Sequence, residues 1–130
     1  MITEDYVSFE TAKLLEEKGF EYNPDESYWL IDANNTMYWI SSIGAYDYVD
    51  VPTESFQRPK NGYRLVTQAM AMKWLREVHH IFIRVIQSHI EYCACEIYYN
   101  RVSHYEFQES FNSYEEAAEA GIKYCLENLI

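Results

Sequence analysis

Three stretches of the chain repeat their apolar residues at helical spacing, and pairs of short aromatic or β-branched runs separate them. The first stretch opens at Ser8, a good N-cap, and closes at Gly19, where a left-handed turn is easy. Phe9, Ala12 and Leu15 share one side of it, Glu10, Glu16 and Glu17 point elsewhere, and Phe20 returns to the core. The second opens at Thr67 and runs to His79 or His80. At 100° per residue, Met70, Ala71, Trp74, Leu75 and Val78 form one arc, opposed by Lys73, Arg76, Glu77 and His80. The third begins with Ser113 and Glu116, an S-x-x-E capping box. Its apolar stripe is Tyr114, Ala117, Ala118, Gly121, Ile122, Cys125 and Leu129. Gly121 lies near the centre of that stripe, where a missing side chain lets a helix approach a sheet.

Strands fill the intervals. Tyr28 to Ile31 and Met37 to Ile40 flank Asn34-Asn35 and read as a β-hairpin. Ile81 to Gln87 sets Ile81, Ile83 and Val85 against Phe82, Arg84 and Ile86. Tyr92 to Tyr99 sets Cys93, Cys95, Ile97 and Tyr99 against Tyr92, Ala94, Glu96 and Tyr98. A short third strand is expected around Tyr105 to Phe107. Between Ser41 and Val66, Gly44, Pro52, Pro59 and Gly62 break any period. A structureless connection of that length is unusual in a compact domain, so an ordered loop or a further strand, around Tyr46, Tyr48, Val49 and Val51, is expected there. The expected fold is α+β: residues 1–130 form a single domain with an antiparallel sheet of four to five strands. Three helices lie mainly on one face, in the order α-β-β-α-β-β-(β)-α.

Composition adds exclusions. The chain has 130 residues, 48% of them hydrophobic and 24% charged, enough to bury a core without a metal or disulfide staple. No apolar run reaches the length of a spanning helix, and the acidic start from Met1 to Asp5 is unlike a signal peptide. The formal charge is −11, concentrated at both ends. Residues 1–31 hold eight acids and two bases and residues 102–130 six and one, whereas residues 67–101 hold three acids and four bases. No cluster of Lys and Arg exists to grip a phosphate backbone or an anionic membrane surface, so neither nucleic acid nor membrane is expected as a partner. A cytoplasmic location is expected, with the three cysteines reduced.

Three blocks resemble a known family. They are residues 6–20 (YVSFETAKLLEEKGF), 68–79 (QAMAMKWLREVH) and 111–129 (FNSYEEAAEAGIKYCLENL). Together they are similar to a family of short uncharacterised proteins of gut anaerobic bacteria, often encoded in prophage-like or mobile regions. The resemblance implies a bacterial cytoplasmic setting and a mobile-element origin, and it carries over no catalytic residue.

Chemistry-bearing patterns are sparse. The four glycines never cluster, so no phosphate-cradling loop is present. Neither G-x-S-x-G nor H-E-x-x-H occurs. Cys93 and Cys95 share a strand face, and with Cys125 and His79, His80 or His104 they have the ligand types for zinc. Cys-x-Cys on a regular strand splays its sulfurs, however, and three small core residues is the simpler reading. Glu77 and His80 have a di-metal spacing without the second pair such sites need. Residues 7–15 look like the opening helix of a helix-turn-helix, but no second helix follows and Glu16 and Glu17 would face phosphates. No catalytic, cofactor or metal site is therefore assigned.

The unusual feature is aromatic content: 13 Tyr, 6 Phe and 3 Trp. Tyr28, Tyr38, Tyr92 and Tyr98 cannot all be core if the strands alternate, and aromatics on an open sheet surface suit protein contact. The expected function is a non-enzymatic protein-interaction or accessory module of mobile-element type, binding a protein partner or itself. The alternative is a small-ligand binder or enzyme with a pocket at residues 41–66, using Asp47, Asp50, Glu54, Arg58 or Arg64.

Overall fold

The structure, a computed structural model, describes residues 5–21, 26–30, 37–41, 44–46, 62–89, 92–99, 103–106 and 110–130. The fold is α+β with antiparallel strands and three helices. Its contacts fall into two compact units, Val7–Val66 and the pair of segments Met1–Tyr6 and Thr67–Ile130.

The first unit contains α1 (Phe9–Glu17), β1 (Glu26–Leu30), β2 (Met37–Ser41), β3 (Gly44–Tyr46) and β4 (Tyr63–Arg64). The Ser8 hydroxyl oxygen accepts from the Thr11 amide and opens α1. At the other end Gly19 takes φ +91°, which a side chain would resist. The Phe20 N–H then donates to the Leu15 carbonyl and the Gly19 N–H to Glu16, a full Schellman closure. Thr11, Ala12 and Leu15 are buried, and so is Phe20. Phe9 meets Tyr63 of β4 edge to face, with ring centroids 5.2 Å apart. The two strands of the expected hairpin pair antiparallel, with Tyr28 across from Trp39 and Trp29 across from Tyr38, and the Asn34-Asn35 turn lies outside the described residues. The strands align as β3-β2-β1-β4.

The second unit contains α2 (Gln68–His79), β5 (Ile81–His89), β6 (Tyr92–Tyr99), β7 (Ser103–Glu106) and α3 (Tyr114–Asn128). Thr67 caps α2 by accepting from the Met70 amide. A single residue in the left-handed conformation, His80 at φ 57°, joins α2 to β5. The strands align as β5-β6-β7, with Phe82 opposite Tyr98, Arg84 opposite Glu96 and Val85 opposite Cys95. A register shift interrupts the pairing between Gln87 and His89. Phe111 exchanges two backbone hydrogen bonds with Cys93, of 2.7 and 2.8 Å, and so ties the approach to α3 onto β6. Ser113 accepts from the Glu116 amide, as the capping box requires, but the Glu116 carboxylate accepts from Asn112 rather than from the cap residue itself.

Helix α3 packs across β5 and β6, and α2 packs on β5 and against α3. The core here is Ala71, Leu75, Ile81, Cys95, Ile97, Ala117, Ala118, Ile122, Cys125 and Leu126. Gln68 is buried with them because its amide nitrogen donates to the Glu115 carbonyl at 2.9 Å, which satisfies a group otherwise costly to enclose.

The structure departs from the sequence reading in particular places. One sheet of four to five strands was expected, whereas the described strands pair in two antiparallel sheets. The added strands β3 and β4 fall inside the 41–66 interval, too short to show a period. Tyr48, Val49 and Val51 lie outside the described residues. Met70 and Val78 leave the expected α2 core arc and are 52% and 56% exposed. The buried line runs instead through Gln68, Ala71 and Leu75, because hydropathy alone cannot see the hydrogen bond that admits Gln68. On α3, Leu126 is buried while Tyr114 is 50% exposed.

Candidate interaction face

Alternation along β5 and β6 decides which side chains share a surface. A Cβ placed on Gly121 would stand 2.6 Å from the Cys95 sulfur and 3.2 Å from an Ile83 methyl. The side of the sheet bearing Cys95 and Ile83 is therefore the one beneath α3. The opposite side carries Phe82, Arg84 and Ile86 from β5 and Tyr92, Ala94, Glu96 and Tyr98 from β6. On it Phe82 is 48% exposed, Tyr92 43% and Tyr98 39%. Phe82 and Tyr98 are directly opposed across the ladder, the placement in which cross-strand rings support each other. The Tyr98 hydroxyl donates to the Glu96 carboxylate at 2.9 Å, which braces the ring beside its neighbour.

The four tyrosines singled out by sequence divide between the two sheets. Tyr92 and Tyr98 lie on one face of β6, whereas Tyr28 and Tyr38 lie on β1 and β2 of the other unit, at adjacent ladder positions. The side chains of Tyr28 and Tyr38 lie outside the described residues. Phe82 was not among the expected contact residues. Its signal was the strand register, which sets it against Tyr98, and register is not visible in one strand read alone.

The cysteines behave as core residues. Cys95 and Cys125 are fully buried, Cys93 is half-buried, and all three are free thiols. Burial pushes the Cys95 thiol up to about 12, and the adjacent Glu96 carboxylate adds to it. Burial likewise pushes Cys125 up to about 12, with the neighbouring Cys95 contributing. Neither is a nucleophile at neutral pH, since the thiolate is the reactive form. Among the described residues no three His, Cys, Asp or Glu side chains converge as metal ligands. Glu77 and His80 are both exposed. His79 is half-buried against the edge of Trp74, with ring centroids 4.6 Å apart.

Of the polar groups expected around residues 41–66, Asp47, Asp50, Glu54 and Arg58 lie outside the described residues. Arg64 is half-buried in β4, and its guanidinium donates to the Leu65 carbonyl at 3.1 Å. No described helix is long and apolar enough to cross a membrane. Comparison with protein-family models, with curated proteins and with solved structures returns no match to this chain.

Proposed function

We propose that this chain is a non-enzymatic protein-interaction module whose contact surface is the β5–β6 face bearing Phe82, Tyr92 and Tyr98. One observation carries the reading: three large aromatic side chains stand 39–48% exposed on one side of a regular antiparallel pair. Aromatic side chains bring large contact area at low entropic cost, which is why they anchor protein interfaces. Within this unit α3 packs on the other side of the sheet and leaves the aromatic side for a partner. The partner is a protein rather than nucleic acid, because the chain is strongly acidic and the face holds one arginine beside one glutamate. A cytoplasmic accessory role of mobile-element type belongs to the same proposal.

The test is affinity capture from the source organism with wild-type protein and with Tyr98→Glu and Phe82→Glu, followed by titration of the purified partner. Each variant introduces a charge at a centrally placed ring and is expected to weaken binding by about tenfold or more. Partner affinity unchanged in both variants, with native circular dichroism, excludes this face as the contact surface.

A further inference from the structure

We infer that the β5 edge and the flank of α2 beside it form a two-fold interface with a second copy of this chain. The inference rests on the reading of the chain as an interaction module but is centred on the strand edge and α2, and of the aromatic face it uses only Phe82 and Arg84 at the rim.

Two observations on adjoining elements point to the same occupant. The first is the edge itself. β5 is the longest strand and stands at the end of the order β5-β6-β7, so among the described residues its second side pairs with no strand. From Ile81 to Ile86 it has no proline, no glycine and one charge, Arg84. Among the described residues, the features that keep such an edge from pairing are Arg84 and the register shift beyond Gln87 at its far end. The other edge strand, β7, has four residues. The second observation is the helix above that edge. α2 packs on β5, while α3 spans β5 and β6, so α2 is the outermost helix on the β5 side. Met70, Trp74 and Val78 follow one another at four-residue steps along it. Met70 is 52% exposed, Val78 is 56% exposed and Trp74 is half-buried. Such an i, i+4, i+8 ridge packs against a second helix ridge.

Both features are self-complementary, which selects a second copy over an unrelated partner. An antiparallel helix pair centred on Trp74 lays Met70 of each copy against Val78 of the other. The next row holds Lys73 and Glu77, so the antiparallel arrangement turns each Glu77 towards the opposite Lys73. On the strand, an axis at Ile83 sets Arg84 across from Phe82 of the second copy and keeps the two arginines apart. The two centres agree in position. Trp74 is about 9 Å from the His80 turn at 1.5 Å per helical residue, and Ile83 is about 10 Å from it at 3.3 Å per strand residue. One axis therefore serves strand and helix together. Charge agrees as well: residues 67–101 are the one stretch where bases outnumber acids, so two strongly acidic chains meet where neither is acidic.

Sedimentation of the full chain from low to high micromolar concentration, with hydrogen exchange on the same samples, tests the inference. Wild type is expected to dimerise, and Met70→Lys/Val78→Lys, at exposed positions, to weaken the dimer about tenfold or more while keeping native circular dichroism. Alternate amides between Ile81 and Ile86 should be protected in the dimer and exchange on dilution. Tyr98→Glu should dimerise like wild type, which separates this interface from the aromatic face. A wild type that stays monomeric, or a dimer that ignores the double lysine change, overturns the inference and leaves the aromatic-face reading to its own test. A dimer lost in Tyr98→Glu with the β5 amides still exchanging also overturns it, in favour of self-association through the aromatic face.

Discussion

Gly121 shows how much one absent methyl group can decide. Its position at the middle of an apolar stripe marks it in the sequence as a point of close approach, and the structure places the Cys95 sulfur 2.6 Å from where a Cβ would stand. Gly121→Ala raises helix propensity by up to about 1 kcal/mol, which alone would stabilise α3. Here the methyl must displace a buried sulfur and press on an Ile83 methyl, and overpacking of this kind costs about 1–3 kcal/mol. The variant is therefore expected to be less stable, as a lower urea midpoint with an unchanged slope would show. Increased stability would mean that Cys95 turns away freely. Residues whose role follows from shape were the most legible here: Gly19, Ser8, Thr67 and Ser113 all cap where their side chains or their freedom suggest. Gln68 was not, since its burial depends on a carbonyl on another helix.

Elements were legible where their period is long and illegible where it is short. The boundaries of β6 and the start of α2 could be read off directly, because eight alternating residues and a capped amphipathic run leave few alternatives. β3 and β4 have three and two residues, too few to define any period, and they acquire strand character only from the neighbours they pair with. The aromatic face was half legible for a similar reason. Alternation placed Tyr92 and Tyr98 together, but only the register against β5 adds Phe82 and assigns Tyr28 and Tyr38 to another sheet. The junction of α2 and β5 offers a test at this scale. His80 holds φ 57°, a conformation that costs a side-chain-bearing residue roughly 1–2 kcal/mol. Glycine there removes that strain and loses about 0.4–1 kcal/mol through a freer unfolded chain. His80→Gly is thus expected to be neutral or to stabilise by up to about 1 kcal/mol. A thermal melt checks it, and a clear loss would show that the exposed imidazole makes a contact worth more than the strain.

For the whole molecule, the two buried thiols couple stability to alkaline pH. Both Cys95 and Cys125 are raised to about 12 from an ordinary value near 9, with burial the main cause. The stabilisation that accompanies a raised pKa is complete below the unfolded value and is lost as pH rises through the folded one. Between about pH 9 and 12 the unfolded chain gives up thiol protons that the folded chain keeps, so folding should weaken steadily as pH rises through this range. Urea titrations at successive pH values test this against Cys125→Ala. The variant is expected to show a shallower decline, whereas parallel curves would place the thiol's ionisation elsewhere.

The order of the segments has a consequence for how the chain reaches this structure. Tyr6 bridges to Thr67, and the Gln68 amide donates to the Asp5 carbonyl, so the second unit is not complete until chain on both sides of the first has met. Closing so long a loop from a disordered chain carries an entropic cost that grows with the intervening length. The Val7 amide, however, donates to the Val66 carbonyl at 2.9 Å within the first unit. Once that unit has formed, its two ends are one hydrogen bond apart and the long closure becomes a local one. The entropic cost of the long closure therefore falls on forming the first unit, and joining Tyr6 to Thr67 adds little to it.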